Sequence, residues 1–198
     1  MTHLNRLHTP LSALALLAAL GAMGAMGAAR AADTADAPAA HWVERNLDFT
    51  YMGFTTKYSC DGLEGDVREL LLALGARKKD LQIQSAGCSR LEGVEPFPGV
   101  RAKFWVLEPV TADEAAKGGD SVVQATQWQT VNLVGKGDFR AEQGQCELLE
   151  QLKRQALPLF TSRNLNFHSA CVPYDVTLGD IRFSVDVLRV VPAPAPTA

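Results

Sequence analysis

The chain has 198 residues, enough for one domain with a sizeable core, and its 19 basic and 22 acidic residues give a net charge of −3. Basic residues are scattered, apart from Arg77-Lys78-Lys79, which falls where a helix should end and there complements the helix dipole. The composition therefore does not predict a nucleic-acid-binding surface.

The first 31 residues have the pattern of a secretory signal peptide. Arg6 precedes an apolar run over residues 11–20, and the small side chains of Ala29 and Ala31 predict cleavage after Ala31. The run is too short for a stable membrane span, which needs about 20 apolar residues. The alternative is an uncleaved N-terminal anchor. We predict a periplasmic or secreted protein that has no transmembrane anchor after cleavage.

Residues 32–44 begin with a stretch of Ala, Asp and Pro that has little to bury, and we predict a flexible leader there. A single α+β domain over residues 45–191 should follow, with its first repeat at residues 45–111. Aromatic and Thr residues predict a strand over residues 47–58. Gly53 interrupts this run and marks a bulge or a close approach of the backbone.

Apolar residues at helical spacing predict a helix over residues 62–75, with Asp61 and Glu64 as a capping pair and Gly75 as its end. The first repeat is completed by two strands, over residues 81–87 and 100–106. The second of these strands alternates apolar and polar side chains, which predicts that one of its faces is buried.

The second repeat, residues 120–191, follows a linker-like stretch over residues 111–120. Its predicted parts are a strand over 121–134, an insertion over 135–144, a helix over 147–157, a strand from Leu165 and a strand over 181–187. A disordered Pro/Ala tail should occupy residues 192–198. The order is β-α-β-β twice, so we predict a largely antiparallel sheet with two helices packed on one face. We favour one sheet with a pseudo-twofold axis over two separate lobes.

The four cysteines occupy matching places in the two repeats. An even number of cysteines in an exported chain predicts two disulfides. A helix of about 14 residues spans ~21 Å and eight strand residues span ~26 Å, so each strand should return close to the start of its helix. This geometry predicts the pairs Cys60–Cys88 and Cys146–Cys171, each worth about 3–3.5 kcal/mol in the chain-entropy model.

Catalytic, metal and cofactor sites have little support in the sequence. Cys60 and Cys146 lie at predicted helix N-termini, where a thiolate would be stabilised, but their repeated positions favour structural disulfides. Ser85, Ser169, His41 and His168 lie in no hydrolase or zinc motif, and the acidic pairs fall in caps and loops. We predict no catalytic, metal or cofactor-binding residues.

Two tryptophans are the candidate partner contacts. Trp105 should lie beside Arg101 on the face of its strand opposite Phe104, and Trp128 lies in a strand rich in Gln and Thr. Aromatic and Arg side chains dominate binding hot spots, so these three residues could contact an envelope protein or a glycan. The alternative is that both tryptophans cover a helix or the second face of the sheet. Loops over residues 89–99 and 135–144 would be the contact surfaces of an exported inhibitor.

The segments YSC-DGLE, LLLALGAR, DLQIQSAGC and FPGVRAKFWVL resemble those of uncharacterised secreted proteins of Gram-negative bacteria. The resemblance covers mainly the first repeat, implies export and implies no activity. We therefore predict an exported, disulfide-stabilised binding or envelope-interaction module. The alternative is a periplasmic enzyme, either thiol-dependent or a hydrolase.

Overall fold

The computed structural model describes residues 36–88, 93–111, 113, 122–134, 139, 141–142, 144–176 and 181–192. The predicted signal peptide, most of the linker over 111–120 and the tail beyond Pro192 lie outside these residues. Within them, no helix is both long enough and apolar enough to cross a membrane.

The described elements repeat in the same order, as the sequence predicts. The first repeat contains β1 (Ala40–Thr50), α1 (Cys60–Leu74), a 3-10 turn (Lys78–Asp80), β2 (Gln82–Ala86) and β3 (Gly99–Pro109). The second contains β4 (Thr126–Asn132), α2 (Cys146–Gln155), a 3-10 turn (Leu157–Leu159), β5 (Ser162–His168) and β6 (Arg182–Val190). Each repeat forms an antiparallel sheet whose third strand lies in the middle, in the orders β1-β3-β2 and β4-β6-β5. The α+β class and the duplicated unit are confirmed.

Within the described residues, the two sheets meet at one antiparallel bridge, between Ala40 and Gln124. The Ala40 N–H donates to the Gln124 carbonyl at 3.1 Å, and the Gln124 N–H donates to the Ala40 carbonyl at 2.7 Å. Next to this bridge, Ala39 and Ala125 occupy equivalent places, because each accepts a hydrogen bond from the residue that follows the third strand of its repeat, Val110 or Val191. In this antiparallel pairing the equivalent residues Ala39 and Ala125 lie opposite each other, as a pseudo-twofold axis requires.

The prediction of one continuous sheet is corrected at this bridge. The neighbouring backbone groups pair within each repeat, since the Val110 N–H donates to the Ala39 carbonyl and the Val191 N–H donates to the Ala125 carbonyl. Among the described residues this bridge does not extend into a ladder between β1 and β4, and the strands form two three-stranded sheets.

The limits of β1 also differ from the prediction. The strand begins at Ala40, inside the predicted leader over 32–44, because all its residues to Thr50 pair with β3. It ends at Thr50, although the sequence predicts a strand to Tyr58. Residues 51–58 instead direct several of their backbone N–H groups to side chains of the second repeat, as described below.

One hydrophobic core serves both repeats. Its buried side chains come from both helices and both sheets, and the largest fully buried ones include Phe49, Phe104, Leu63, Leu70, Leu133, Leu148, Leu149 and Leu152. The rings of Phe104 in β3 and Phe160 after α2 stack with centroids 5.5 Å apart. Burial of each such side chain contributes about 1.5–3 kcal/mol to folding. Because the buried side chains of the two repeats form one cluster, neither repeat has a core of its own.

The first helix is capped differently from the prediction. Ser59 is the N-cap, and its hydroxyl accepts a hydrogen bond from the Gly62 N–H at 3.2 Å, so Asp61 does not cap the helix. Gly75 ends the helix as predicted, with a φ of 113° that favours glycine. The last carbonyls of α1 accept hydrogen bonds from the guanidinium of Arg189 in β6. The cation that contacts the end of α1 is therefore Arg189, whereas the sequence predicts Arg77-Lys78-Lys79 in this role.

Both predicted disulfides are present, Cys60–Cys88 and Cys146–Cys171, with Cα atoms 6.3 and 5.7 Å apart. A hydrogen bond accompanies each one. The Ser85 hydroxyl donates to Glu64 at 3.1 Å, and the Ser169 hydroxyl donates to Glu150 at 2.6 Å. Each glutamate is the fourth residue after the first cysteine of its repeat, so the same disulfide and serine–glutamate pair closes each helix onto its strand.

Candidate binding surface

The segment between β1 and α1, residues 51–58, lies over the N-terminus of α2 and is held there by a buried carboxylate. Glu147, the second residue of α2, is 9% exposed. Its Oε2 atom accepts hydrogen bonds from the Phe54 N–H at 2.8 Å, the Thr55 N–H at 2.9 Å and the Tyr51 hydroxyl at 3.3 Å. The N-terminus of α2 also favours a negative charge at this position. A side chain of the second repeat therefore fixes the backbone of the first.

Further hydrogen bonds attach the same segment to the second repeat at both ends. They run from Met52 N–H to Gln151 Oε1 at 3.0 Å, from Thr56 Oγ1 to the Gly144 carbonyl at 2.8 Å and from Tyr174 N–H to Thr55 Oγ1 at 2.9 Å. Backbone groups that would pair in a strand are used here by side chains. This explains why β1 ends at Thr50.

Gly53 lies at a close approach of the backbone in this contact. A Cβ atom at position 53 would overlap the Tyr51 side chain and lie 2.8 Å from Glu147 Oε2. The close backbone approach that the sequence predicts at Gly53 is confirmed. Burial, followed by the charge of Glu147 and the hydrogen bond to it, raises the pKa of Tyr51 well above its ordinary value. Tyr51 therefore stays protonated and remains a donor to Glu147.

The opposite side of this segment exposes bulky apolar side chains. We define the apolar loop surface as Met52, Phe54, Val94, Phe97 and Tyr174, whose exposed fractions are 65%, 57%, 52%, 62% and 76%. They come from three loops, after β1, before β3 and before β6. The rings of Phe54 and Tyr174 lie 5.7 Å apart, which joins the loops of the two repeats. Contiguous exposed apolar side chains of this kind mark interaction sites in soluble proteins.

Part of the apolar loop surface forms an open groove of about 610 Å³. Met52, Phe54, Val94 and Phe97 line it with Gly53, Pro96, Lys57 and Glu95. The loop before β3 is held in place by its own backbone, since the Glu95 N–H donates to the Tyr58 carbonyl at 3.0 Å. Both walls of the groove are thus anchored to the core, and a ligand would meet a surface that is already formed.

A second, partly buried polar contact between the repeats joins α1 to the start of α2. Gln145 donates from Nε2 to Asp66 Oδ2 at 2.6 Å and accepts at Oε1 from the Glu142 N–H at 2.7 Å. Burial, followed by the charges of Glu69 and Glu142, raises the pKa of Asp66 to about 6. The hydrogen bond from Gln145 opposes this increase. Asp66 therefore titrates at a higher pH than an ordinary aspartate.

The candidate partner residues of the first sheet do not line the groove of the apolar loop surface. Arg101 faces solvent and pairs with Asp48 at 3.3 Å. Trp105 is half-buried, and the guanidinium of Arg77 lies over its ring and over that of Trp42, 5.1 and 4.9 Å from the two centroids. Arg77 thus contacts both tryptophans, and such a cation–π interaction is worth about 1 kcal/mol or more. The role of Arg101 and Trp105 in partner binding stays a prediction.

Trp128, the candidate residue of the second sheet, is covered in a similar way. The guanidinium of Arg163 lies 4.4 Å from its ring centroid and pairs with Asp36 at 2.9 Å. Hydrogen bonds from Thr130 and Asn164, together with Arg163, lower the pKa of Asp186 beside it, and the bond from Thr130 contributes most. The partner role of Trp128 also stays a prediction.

The two loops expected to form contact surfaces differ from each other. Within residues 89–99, the described part from 93 onward carries Val94 and Phe97 of the apolar loop surface. Residues 89–92 lie outside the described chain. In the loop over 135–144, Phe139 is 2% exposed and Ala141 is 5% exposed, so these two side chains belong to the core. The described part of the second loop therefore supports the fold.

The residues considered for enzyme chemistry do not converge on one site. All four cysteines are in disulfides, so Cys60 and Cys146 offer no thiolate. His168 is exposed at the end of β5, opposite Arg182 in β6, and does not line the groove of the apolar loop surface. Within the described residues, no group of three His, Cys, Asp or Glu side chains could hold a metal ion.

Comparison of the chain with family models, curated proteins and solved structures yields no match. Function must therefore be argued from the geometry. Sequence reasoning missed Met52 and Phe54 because it placed them in a strand, where exposed apolar residues need no special explanation. A usable signal was the Gly53 between them, since a glycine inside a strand pattern often marks an irregular segment.

Proposed function

We propose that this chain is an exported binding module that recognises a protein of the cell envelope through the apolar loop surface. Export is supported by the N-terminal signal pattern and by the two disulfides, which persist in oxidising compartments. The compartment is the periplasm or the cell exterior. The observation that carries the binding role is the set of five large apolar side chains that three anchored loops hold in solvent.

A protein partner fits the chemistry of this surface. Aromatic residues and Met are enriched in protein interfaces, whereas charged residues are depleted from interface cores. Phe54, Phe97, Tyr174 and Met52 have this character, and the loops that carry them are hydrogen-bonded to the fold. Because hydrogen bonds hold these loops before binding, the entropy cost of ordering them does not reduce the affinity for a partner.

Site-specific photo-crosslinking in cells that produce the protein naturally tests the proposal. A photoreactive phenylalanine analogue at position 97 should form a covalent adduct with one envelope protein. The same analogue at positions 105 and 128 provides the matched controls on the two sheets. An adduct at position 97 that disappears in the Phe54→Ser background would support the proposal. Adducts from positions 105 or 128 alone would move the binding site to the sheet faces and reject the apolar loop surface.

Export is tested separately by the mass of the purified protein. The mature chain should begin at Ala32, carry two disulfides and be recovered from the periplasm or the medium. Recovery of full-length reduced protein from the cytoplasm would contradict export.

A further inference from the structure

We infer that the partner segment carries a carboxylate next to an apolar side chain, and that Lys57 recognises this carboxylate. This inference rests on the proposed function, because it specifies what the apolar loop surface binds. The occupant is an extended polypeptide segment of another protein in which a bulky apolar residue and an acidic residue are neighbours.

The charge in the groove supports this choice. Lys57 is exposed and lines the groove beside Met52, Phe54 and Phe97. Its ammonium has three donors. Within the described chain it makes one hydrogen bond, from Nζ to the Gly53 carbonyl at 3.1 Å. That bond keeps the cation at the apolar wall and leaves donors for an anion.

Among the described residues, the other charged residue of the groove forms no ion pair with Lys57. Glu95 also lines the groove, but it is 2% exposed and is partnered within the protein. A ligand therefore meets an apolar wall with an accessible positive charge at its side. Complementary charge selects partners and sets the register of docking even where its net contribution to affinity is small.

The groove suits a polypeptide segment. Its volume of about 610 Å³ lies within the usual range of ligand sites, and its walls come from two loops that are separate in sequence. The apolar walls contact the apolar side chain, and the Lys57 ammonium donates to the neighbouring carboxylate. Phe97 and Phe54 are the residues that should contribute most to affinity, because aromatic side chains dominate binding hot spots.

The test is selection of peptides from a randomised display library on the oxidised mature protein. Peptides enriched on the wild type should combine an aromatic or aliphatic residue with an adjacent Asp or Glu. A matched pair of synthetic peptides, differing only by Asp or Asn at that position, then gives dissociation constants. We expect the Asp peptide to bind about fivefold to tenfold more tightly.

Charge reversal provides the decisive variant. Lys57→Glu should reverse the selection towards Lys or Arg at the same peptide position, and Lys57→Gln should remove the charge preference while keeping the apolar one. Phe97→Ser should weaken both peptides by about thirtyfold. Thermal melting of each variant at the wild-type temperature would show that the fold is intact.

Several outcomes would overturn the inference. Enriched peptides without a charge preference, or with the same acidic preference on Lys57→Glu, would remove Lys57 as the recognition residue. Concentration-dependent dimers, or binding to phosphatidylcholine vesicles, that Phe97→Ser abolishes would assign the groove to a second copy or to a membrane. If crosslinking at position 97 succeeds but the selected peptides show no preference for an acidic residue, this inference is rejected and the proposed function stands. Failure of both crosslinking and selection would reject the proposed function as well.

Discussion

The two repeats share one topology and one helix-to-strand closure, but the N-termini of their helices do different things. In α1, Ser59 immediately before the cysteine caps its own helix by binding the Gly62 N–H. In α2, Gln145 occupies the same position and its side chain makes no cap bond to its own helix. It binds Asp66 of the first repeat instead, at 2.6 Å. One helix start is self-contained, and the other joins the repeats.

The residue after the first cysteine shows the same contrast. Asp61 in the first repeat is exposed, whereas Glu147 in the second is buried and accepts three hydrogen bonds from residues 51–58. Both acids lie in the first turn of a helix, where the dipole favours them. The helix start thus supports the apolar loop surface in the second repeat only.

Removal of either disulfide should have the largest effect, and a similar one in both repeats. Sequence separations of 28 and 25 residues predict about 3.5 kcal/mol for each in the chain-entropy model. Urea unfolding of Cys60→Ala/Cys88→Ala and of Cys146→Ala/Cys171→Ala measures the two losses. A loss below about 1 kcal/mol for either pair would contradict the prediction. A larger loss for the second pair would show that the contacts of Glu147 depend on its disulfide.

Glu147→Ala should lower the free energy of unfolding by about 3 kcal/mol, because two backbone N–H groups and the buried Tyr51 hydroxyl lose their acceptor. Asp61→Ala is the matched control and should change the free energy of unfolding by less than about 0.5 kcal/mol. Glu147→Gln keeps an acceptor oxygen and should lie between them. If chemical denaturation gives the same loss of unfolding free energy for Glu147→Ala and Asp61→Ala, the two helix starts do not differ in their contribution to stability.

Substitution of alanine for each of two glycines should change the stability of the fold in opposite directions. Gly53→Ala should destabilise the fold by about 2 kcal/mol, because the new methyl group overlaps Tyr51 and approaches Glu147. Gly65 lies in α1, and a Cβ atom added there would have no atom within 4 Å apart from its chain neighbours and the helix backbone. Gly65→Ala should therefore stabilise the fold by about 0.5–1 kcal/mol. Melting temperatures of the two variants should move in opposite directions. A stabilising Gly53→Ala would show that residues 51–58 do not pack closely on α2.

Sequence reasoning predicted the parts of this molecule that depend on local pattern. The apolar stripe of α1, the alternation in β3 and the spacing of the cysteines each express a contact within one repeat. Cys60–Cys88 and Cys146–Cys171 followed from the similar lengths of a helix and the strand that returns along it. Gly75 followed from the backbone conformation that ends a helix.

What the sequence did not reveal depends on contacts between the repeats. Residues 51–58 have the composition of a strand, but their backbone bonds go to Glu147 and Gln151, more than 90 residues later in the chain. No local pattern predicts such an acceptor. The apolar loop surface was missed for the same reason, since Phe54 is exposed only because its backbone is held from the other side.

The smallest predicted effect concerns the second link between the repeats and depends on pH. The pKa of Asp66 is about 6 in the folded protein and has an ordinary value of 3.8, so the folded state binds this proton more tightly than the unfolded chain. The contribution of Asp66 to stability is therefore greatest below pH 3.8 and is lost as the pH rises through 6. Asp66→Asn keeps a partner for Gln145 without the charge. Because Asp66 is only partly buried and solvent screens it, the variant should gain of the order of 1 kcal/mol at pH 8.

Near pH 4 the difference between Asp66→Asn and the wild type should be much smaller, because Asp66 is then mostly protonated in the fold. Urea unfolding of both proteins from pH 4 to pH 8 measures the difference, and Asp61→Asn controls for the loss of an exposed charge. A difference that stays constant over this range would show that Asp66 titrates as an ordinary carboxyl. In that case the bond from Gln145 would join the repeats without an electrostatic cost, and the two helix starts would differ only in their hydrogen-bond partners.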